Sequence, residues 1–482
     1  MRRAGRRYLR GPAAALVGGN SAAYAGLTPT LYAAPTSQGT GSGNSEANAM
    51  SLSSALAAVT AGAILGVLPG TYTGTNTSDR FQPAWKTTNS GTSGNPIRIV
   101  AQNVAAIHAS NLSELRSGTT TDGAGCPAFG AYGNPSANDY VEWIGFYVDE
   151  ANSATRADTG PAVLVATTGS AIRLCHLAAK TAYLPGDNHC GVRVEGSYNV
   201  TVADTKIHGF RNSAVNVANG CGIETYTSGN VLVENNEIYD CFAGIHHKAN
   251  GDDAGAGPSG DTADGVKGWF ITRRNRVYSC YHYGIINGRS YSGFDRDMYL
   301  NTVQVDAIGG GGGGFGLTYW NYSPDDPTRI RVQNNTVVVS TSNGSLCIGV
   351  YHKGPLGASN TFNGNLVVAG DRAIYQESVS TFTTTQWAAD RNLYYGYASF
   401  ADITNGSGNP LSTFASTYGI DGNSVNADPL LVNQAGLDFH LQAGSPALGL
   451  ARDVLNVTGL GVNAVIAAGA YAVGTETIGI RS

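Results

Sequence analysis

Short stretches in which apolar and polar residues alternate recur along the chain, and each stretch is divided by asparagine. The clearest copies are NVTVADTKIHGF from Asn199, NVLVENNEIYDC from Asn230, GWFITRRNRVYSC from Gly268, TRIRVQNNTVVVS from Thr328 and NTFNGNLVVAG from Asn360. Alternation with a period of two is the pattern of a β-strand. Each copy therefore predicts two short strands joined by a bend.

A second recurring unit lies between these copies and begins with glycine. It occupies residues 191–195, 222–226, 244–248, 284–287, 316–320 and 349–353, with 373–377 as a looser copy. The intervals between strands hold too few helical residues for the crossover helices of βαβ units. The repetition predicts an all-β fold, a single right-handed parallel β-helix that is a solenoid with three short strands per coil. An antiparallel sandwich is the alternative, and it would lack this constant phase between asparagine and glycine.

The bends predict a column of stacked asparagines, since asparagine tolerates a left-handed backbone and can hydrogen-bond along the column. Its expected members are Asn236, Asn275, Asn335 and Asn365. Cys241 and Cys280 each follow an asparagine of this column by five residues. We expect them to stack in the core as small apolar side chains, with a disulfide as the alternative.

Composition and charge divide the chain and exclude some classes of function. The 65 glycines and the 13% of charged residues among 482 suit many tight turns. We expect a basic, then Ser- and Gly-rich N-terminal arm over 1–50, the β-helix over 51–450 with a short capping helix near its start, and a C-terminal extension over 451–482. A net charge of −5 argues against nucleic acid as a partner. No apolar stretch is long enough to predict a membrane span, and no CxxC motif predicts zinc.

Several segments resemble the β-helix superfamily that contains pectate lyases, chondroitinase B-type and alginate lyases, and phage tailspikes. These segments are Leu68-Pro69-Gly70-Thr71-Tyr72, Ser90-Gly91-Thr92-Ser93-Gly94-Asn95-Pro96-Ile97, Ala427-Asp428-Pro429-Leu430, Asp438-Phe439-His440-Leu441 and Gly444-Ser445-Pro446-Ala447. The resemblance spans about residues 60 to 450. It implies a right-handed parallel β-helix.

Alternate residues of the glycine-led units should point outward and form columns along the solenoid axis. The columns combine aromatic rings with cations and carboxylates, which suits a sugar chain, although such residues also suit any wet strand surface. The candidate substrate-binding residues are Glu224, Tyr226, Trp320, Tyr351, Lys353, Tyr375 and Glu377.

The resemblance also suggests candidate catalytic residues. In chondroitinase B-like lyases a lysine acts as base and an arginine lies on the next coil, and Lys248 and Arg289 occupy roughly those places, with His246 as a further acid or base. No cofactor is required by the sequence. The calcium ligands of those lyases are not matched by Gly244-Ile245-His246-His247, which leaves Glu224, Asp252 and Asp253 as the candidates for calcium. A hydrolase that uses two loop carboxylates is the competing chemistry.

These observations favour a virion-type protein, like a tailspike or fibre, that recognises a surface polysaccharide. The sequence leaves open whether it also cleaves that polysaccharide. Its N-terminal arm would dock on a virion or partner protein, and it would form a homotrimer. A secreted bacterial polysaccharide lyase or glycoside hydrolase, with its first 25 or so residues removed as a signal peptide, and a non-catalytic structural protein are the alternatives. The expected location is the virion surface or the extracellular space.

Overall fold

The fold was analysed in a computed structural model. It describes residues 26–74, 82–102, 113–116, 127–132, 138–149, 161–178, 189–210, 220–226, 228–248, 269–288, 295–307, 313–320, 329–341, 346–353, 360–377, 387–403, 409–452, 465–466 and 468–469.

Three long parallel sheets contain nearly all the strands of these residues, which are numbered here along the chain. Sheet A has thirteen strands in the described part: β1 (Leu31–Ala34), β2 (Met50–Ser51), β3 (Ile64–Val67), β5 (Ile97–Ala101), β8 (Val141–Ile144), β11 (Ala171–Arg173), β14 (Tyr198–Ala203), β17 (Gly229–Glu234), β20 (Trp269–Arg273), β23 (Asp295–Tyr299), β26 (Ile330–Gln333), β29 (Asn360–Asn363) and β32 (Trp387–Asp390).

Sheets B and C complete the coils. Sheet B has twelve strands among the described residues: β4 (Gly70–Thr73), β6 (Ser113–Arg116), β9 (Tyr147–Asp149), β12 (His176–Ala178), β15 (Lys206–His208), β18 (Glu237–Tyr239), β21 (Arg276–Cys280), β24 (Thr302–Ala307), β27 (Thr336–Thr341), β30 (Leu366–Ala369), β33 (Leu393–Tyr395) and β35 (Val425–Asn426). Sheet C has ten within the same ranges: β7 (Phe129–Tyr132), β10 (Val163–Ala166), β13 (Val192–Glu195), β16 (Cys221–Tyr226), β19 (Ala243–Lys248), β22 (Tyr283–Asn287), β25 (Gly314–Trp320), β28 (Cys347–Lys353), β31 (Arg372–Gln376) and β34 (Ser399–Ile403).

Each coil runs from sheet A through sheet B to sheet C, and the next coil stacks on it in register. Strand β14, for example, is followed by β15 and β16, and β17 then pairs in parallel with β14. This order is that of a parallel β-helix, and the right-handed sense is the rule for parallel crossover connections. The fold predicted from the alternation and the repeat is confirmed.

The glycine that begins each sheet C unit is required by close approach between two sheets. A Cβ atom on Gly222 would lie 2.4 Å from Cγ2 of Ile238 in sheet B and 2.8 Å from the carbonyl oxygen of Gly244. Equivalent clashes with an isoleucine or valine of sheet B arise at the matching glycines, 191, 244, 284, 316 and 349. The glycine column therefore fixes the corner at which sheets B and C meet.

The asparagine column forms a continuous ladder at the bend between sheets A and B. The backbone N–H and the side-chain amide of Asn236 both donate to Oδ1 of Asn275, at 3.1 and 2.9 Å. The same pair of bonds recurs from Asn275 to Asn301, Asn301 to Asn335, Asn335 to Asn365 and Asn365 to Asn392. The four predicted members are confirmed, and Asn301 and Asn392 extend the ladder.

The left-handed backbone at these bends belongs to the residue before each ladder asparagine. Asn235, Arg274 and Leu300 have φ of 54°, 56° and 58°. The prediction that the stacked asparagines themselves take this conformation was wrong, because the amide must point inward along the ladder while the preceding residue makes the turn.

The interior is filled by the inward valines, isoleucines and leucines of all three sheets. Cys241 and Cys280 are free thiols buried in this core, so the predicted core stack is confirmed for them.

Helix α1 (Leu52–Ala58) begins at the N-cap Ser51 and buries Leu52 and Leu56 at the first coils. Helix α2 (Leu411–Tyr418) buries Phe414 against the ring of Phe400 at the other end of the core. Each helix therefore supplies apolar side chains to one end of the solenoid. No helix in the described ranges is long and apolar enough to cross a membrane.

Two segments near the chain ends also contact the solenoid. Strand β1, which lies inside the range that the sequence assigns to the arm, pairs with β2 and β3 in sheet A. After the last coil, hairpins β36 (Leu431–Asn433) with β37 (Asp438–Leu441) and β38 (Ala451–Arg452) with β39 (Val465–Ile466) follow. Phe439 and Leu441 pack on Val338 and Val368, so the C-terminal segment covers part of the outer face of sheet B.

Candidate functional site

The outer face of sheet C carries the columns that the sequence singles out. Strand pairing places Arg193, Glu224 and His246 opposite one another on successive coils. The column continues in register through Ile286, Thr318, Tyr351 and Tyr375. A parallel column begins with Glu195, Tyr226 and Lys248. The register inferred from the glycine-led units therefore holds across seven coils.

Pointing outward does not make every one of these residues solvent-exposed. Six of the seven residues of the first column, from Arg193 to Tyr351, are buried, with Glu224 0% and His246 2% exposed. Tyr375, Tyr226 and Lys248 are partly exposed, and Glu377 is exposed. An apolar cluster explains part of this burial, because Cys190, Cys221, Phe242, Ala243 and Ile286 pack together on the same outer face. The outer face thus has its own small core beside the polar column.

One arginine holds two carboxylates at the start of the site. Arg193 donates from Nη1 to Oε2 of Glu224 at 3.2 Å and from Nε to Oε2 of Glu195 at 2.9 Å. The Tyr226 ring contacts two cations, with Cζ of Arg193 5.2 Å and Nζ of Lys248 5.4 Å from its centroid. These five side chains form the group that we call the charged cluster.

Burial raises the pKa of Glu224, and the nearby cations Arg193 and Lys248 offset this only in part. Its Oε1 atom has no hydrogen-bond partner among the described residues, while Oε2 accepts from Arg193. A carboxyl group with a raised pKa keeps its proton closer to neutral pH, which suits a general acid. His246 lies next to it on the following strand.

An aromatic strip continues the face beyond the charged cluster. Successive ring centroids of Tyr283, Phe315, Tyr351 and Tyr375 are 5.1, 4.8 and 5.5 Å apart, with interplanar angles of 19°, 33° and 16°. The rings therefore stack on one another along the axis, and the faces between them are covered. A ligand on this strip would meet ring edges and hydroxyl groups, instead of the open ring faces on which we expected a sugar to pack.

Charged groups flank this aromatic strip. The hydroxyl of Tyr351 donates to the carboxylate of Glu377, and Cζ of Arg372 lies 4.9 Å from the centroid of the Tyr375 ring. Burial, together with the charge of Glu377, raises the pKa of Tyr283 to about 12. Tyr283 therefore remains a neutral donor at physiological pH.

A row of polar residues on the inner side of sheet C was missed by sequence reasoning. Its members are Thr225, His247, Asn287, Tyr319, His352 and Gln376, which pair in register and are buried. His247 Nε2 lies 2.7 Å from Oγ1 of Thr272, and burial lowers the pKa of His247 to about 3. His247 is therefore a neutral interior group that does not reach the outer face, unlike its neighbour His246. The sequence did contain a signal for this row, because a polar residue recurs at the same inward position of six successive sheet C strands.

Some predicted residues cannot be placed. Arg289, Asp252 and Asp253 lie outside the described residues, so the pairing of Lys248 with Arg289 and the calcium candidates remain predictions. Trp320 and Lys353 pair opposite each other in β25 and β28, and only their backbone is described. The described part of the chain contains no group of three or more His, Cys, Asp or Glu side chains that could hold a metal ion.

Comparison with known proteins yields likenesses in structure alone. Neither a protein-family model nor a curated protein matches this sequence. Pectate lyase Pel9A is 13% identical, over 93% of this chain and 98% of its own, with a TM-score of 0.48.

Two further solved structures are similar to parts of this chain. A mannuronic acid-specific polysaccharide family 6 lyase from human gut microbiota is 13% identical over 80% of this chain and 90% of its own, with a TM-score of 0.39. A tailspike protein of E. coli bacteriophage HK620, in complex with a pentasaccharide, is 11% identical over 70% and 59%, with a TM-score of 0.30. At such identities the likeness concerns the fold alone.

Proposed function

We propose that this β-helix binds an extended polysaccharide along the outer face of sheet C. The observation that carries the proposal is the unbroken register of this face over seven strands, from Arg193 to Tyr375. Its accessible side chains are Tyr226, Lys248, Tyr283, Phe315, Tyr375 and Glu377. With about 4.8 Å between neighbouring strands, it extends roughly 29 Å. A straight surface of this length suits a linear polymer better than a compact small molecule.

The two halves of this surface would play different parts in binding. The charged cluster offers Lys248 to anionic or hydroxyl groups of the sugar, because charge-assisted hydrogen bonds are the stronger ones. Arg193 is buried and holds Glu195 and Glu224 in place. The aromatic strip offers the hydroxyl groups of Tyr283 and Tyr375 and the exposed carboxylate of Glu377. Trp320 and Lys353 are proposed to add to this surface from adjacent coils.

We further propose that bond cleavage, where it occurs, takes place at the charged cluster. In a lyase, Lys248 would remove the C5 proton of a uronic acid and Glu224 would donate a proton to the leaving oxygen. Arg289 is the candidate for neutralising the sugar carboxylate, and His246 is the alternative acid or base. Glu195 and Glu224, which share Arg193, favour a hydrolase that uses two carboxyl groups as the second candidate.

The biological setting is proposed to be a virion surface, with the basic N-terminal segment that precedes strand β1 as the attachment arm and three chains in the assembly. A secreted lyase or hydrolase and a non-catalytic decoration protein are the alternatives. The solution mass and the N-terminal residue of the natural protein separate them. A trimer that begins at Met1 agrees with the first setting, and a monomer that begins near Gly26 agrees with secretion.

The function is tested by incubating the protein with a panel of uronic-acid and neutral polysaccharides. Binding is measured directly, unsaturated uronate is followed by its ultraviolet absorbance, and reducing ends are counted in parallel. Absorbance together with reducing ends identifies a lyase, and reducing ends alone identify a hydrolase. Failure to bind any member of the panel would contradict the proposal.

Variants locate the site. Glu224→Gln should retain binding and lose cleavage, because the amide cannot donate a carboxyl proton. Lys248→Ala should weaken both, whereas Lys206→Ala on the outer face of sheet B is the matched control and should change neither. Unchanged cleavage by the Glu224 variant would remove Glu224 from the mechanism.

A further inference from the structure

Two thiols face each other on successive coils next to the charged cluster. Val192 pairs with Ile223 in register, so Cys190 and Cys221, each two residues earlier, lie opposite each other. The backbone N–H of Gly191 donates to the carbonyl oxygen of Cys221 at 3.1 Å, which extends the pairing to this point. Neighbouring parallel strands are about 4.8 Å apart, which is within the range of Cα separations of roughly 4.4–6.8 Å across disulfides.

The side chains also lie together. Cys190 and Cys221 are both 0% exposed, and both belong to the apolar cluster on the outer face of sheet C. Cys241 differs, because its thiol lies in the interior core and donates to the carbonyl oxygen of Tyr239 at 3.3 Å. The geometry therefore singles out one pair among the described cysteines.

We propose that Cys190 and Cys221 form a disulfide bond when the chain folds under oxidising conditions, and that this bond joins the coil of Arg193 to the coil of Glu224. This inference stands apart from the proposed function, since it concerns only the covalent state of two residues. Its grounds are the parallel register of the two cysteines and the burial of both in one apolar cluster.

The oxidant would be a small disulfide such as oxidised glutathione. One cysteine sulfur, as thiolate, attacks it and releases one glutathione, and the second cysteine sulfur then displaces the other. The two cysteines lose two protons and two electrons, which end on two molecules of reduced glutathione. Burial raises the pKa of Cys221 well above its ordinary value, so we expect the bond to form during folding, before the coils close over the thiols.

The bond would change the surroundings of Glu224. The Cys190 sulfur lies 3.9 Å from Oε2 of Glu224 and donates its hydrogen there. After oxidation the sulfur has no hydrogen to donate, and Arg193 is the partner of that oxygen that remains. The disulfide would also prevent the two strands that carry Arg193 and Glu224 from separating.

The test is to unfold the full chain with a reductant and refold it with a mixture of reduced and oxidised glutathione. The protein is then alkylated in denaturant and digested. Trypsin alone leaves Cys221 and Cys241 on one peptide, so a protease that cleaves after glutamate, at Glu224 and Glu234, is added. A cross-linked pair of peptides that contains Cys190 and Cys221 and disappears on reduction is expected.

Alkylation of both Cys190 and Cys221 after this refolding, or a bond from either to another cysteine, would overturn the inference. A Cys241→Ala variant is the matched control and should form the same cross-link. Chains refolded with and without oxidant should also differ in their urea midpoint, with the cross-linked chain higher. Peptide mapping of the unaltered chain decides the question even if a cysteine variant fails to fold.

Discussion

The last step of the asparagine ladder offers the sharpest test of the energetics. The side-chain amide of Asn392 donates to Oδ1 of Asp421 at 2.8 Å, so a carboxyl group follows six asparagines. Asp421 is 2% exposed. Burial raises its pKa from 3.8 to about 6, and hydrogen bonds from Ser424, Asn392 and Tyr394 offset this only in part.

The sign of the effect follows from the direction of the pKa shift. The folded chain holds this proton more tightly than the unfolded chain does. As the pH rises from about 4 to about 6, the carboxyl group loses its proton first in the unfolded chain, so folding becomes less favourable. A shift of about two pH units corresponds to about 3 kcal/mol, at 1.36 kcal/mol per unit. Above that range the whole cost is present.

Asp421→Asn should remove this cost and preserve the bonds. Asn392, Tyr394 and Ser424 all donate to Oδ1, which asparagine retains, and the new amide would take the place of Oδ2 near the Tyr394 hydroxyl. We expect the free energy of unfolding in urea to rise by about 1–3 kcal/mol near pH 8 and to change little near pH 4.

The matched control for this comparison is Asp428→Asn. Asp428 is exposed and accepts a hydrogen bond from the backbone N–H of Leu430, which asparagine also accepts. Its effect should stay within about 0.5 kcal/mol at both pH values. A loss of stability in the Asp421 variant near pH 8, or an equal gain at both pH values, would refute the reasoning.

Three other results are expected. Asn301→Ala should lower the free energy of unfolding by about 2–4 kcal/mol, because it leaves buried partners unsatisfied on both sides of the ladder, and an unchanged urea midpoint would contradict this. Gly222→Ala should cost about 1–3 kcal/mol through its overlap with Ile238 and should cost less in an Ile238→Ala background, so equal costs in the two backgrounds would argue against close approach as the cause. Polysaccharide binding should be the same with and without a chelator, since Oε2 of Glu224 is already held by Arg193, and a loss restored by calcium alone would show a required metal.

The repeat was predictable because the same local demands occur in every coil. Alternation identified the strands, and the glycine and asparagine columns set their phase. Asn301 follows leucine, and Asn392 follows arginine as Asn275 also does, so the preceding residue alone did not identify these two bends. At both bends that preceding residue takes the left-handed backbone, with φ of 58° and 56°.

The burial of the site residues was harder to predict from the sequence. Alternation shows which way Glu224 points, but it does not show what else packs on the outer face. The burial of Glu224 is associated with an apolar cluster whose members, such as Phe242 and Ile286, come from other coils. The packing of Phe439 on sheet B likewise depends on contacts between segments that are distant in sequence.

The glycine column has a consequence for how the polysaccharide that we propose as ligand would find its position. It holds sheets B and C at the same separation through six coils. The backbone of the outer face therefore repeats with one constant translation, the spacing between neighbouring strands of about 4.8 Å. A polymer displaced by one coil meets the same backbone and different side chains. Discrimination between such displaced positions therefore rests on the side chains of the column alone, and replacing two neighbouring ones by alanine should let the polymer slide between them.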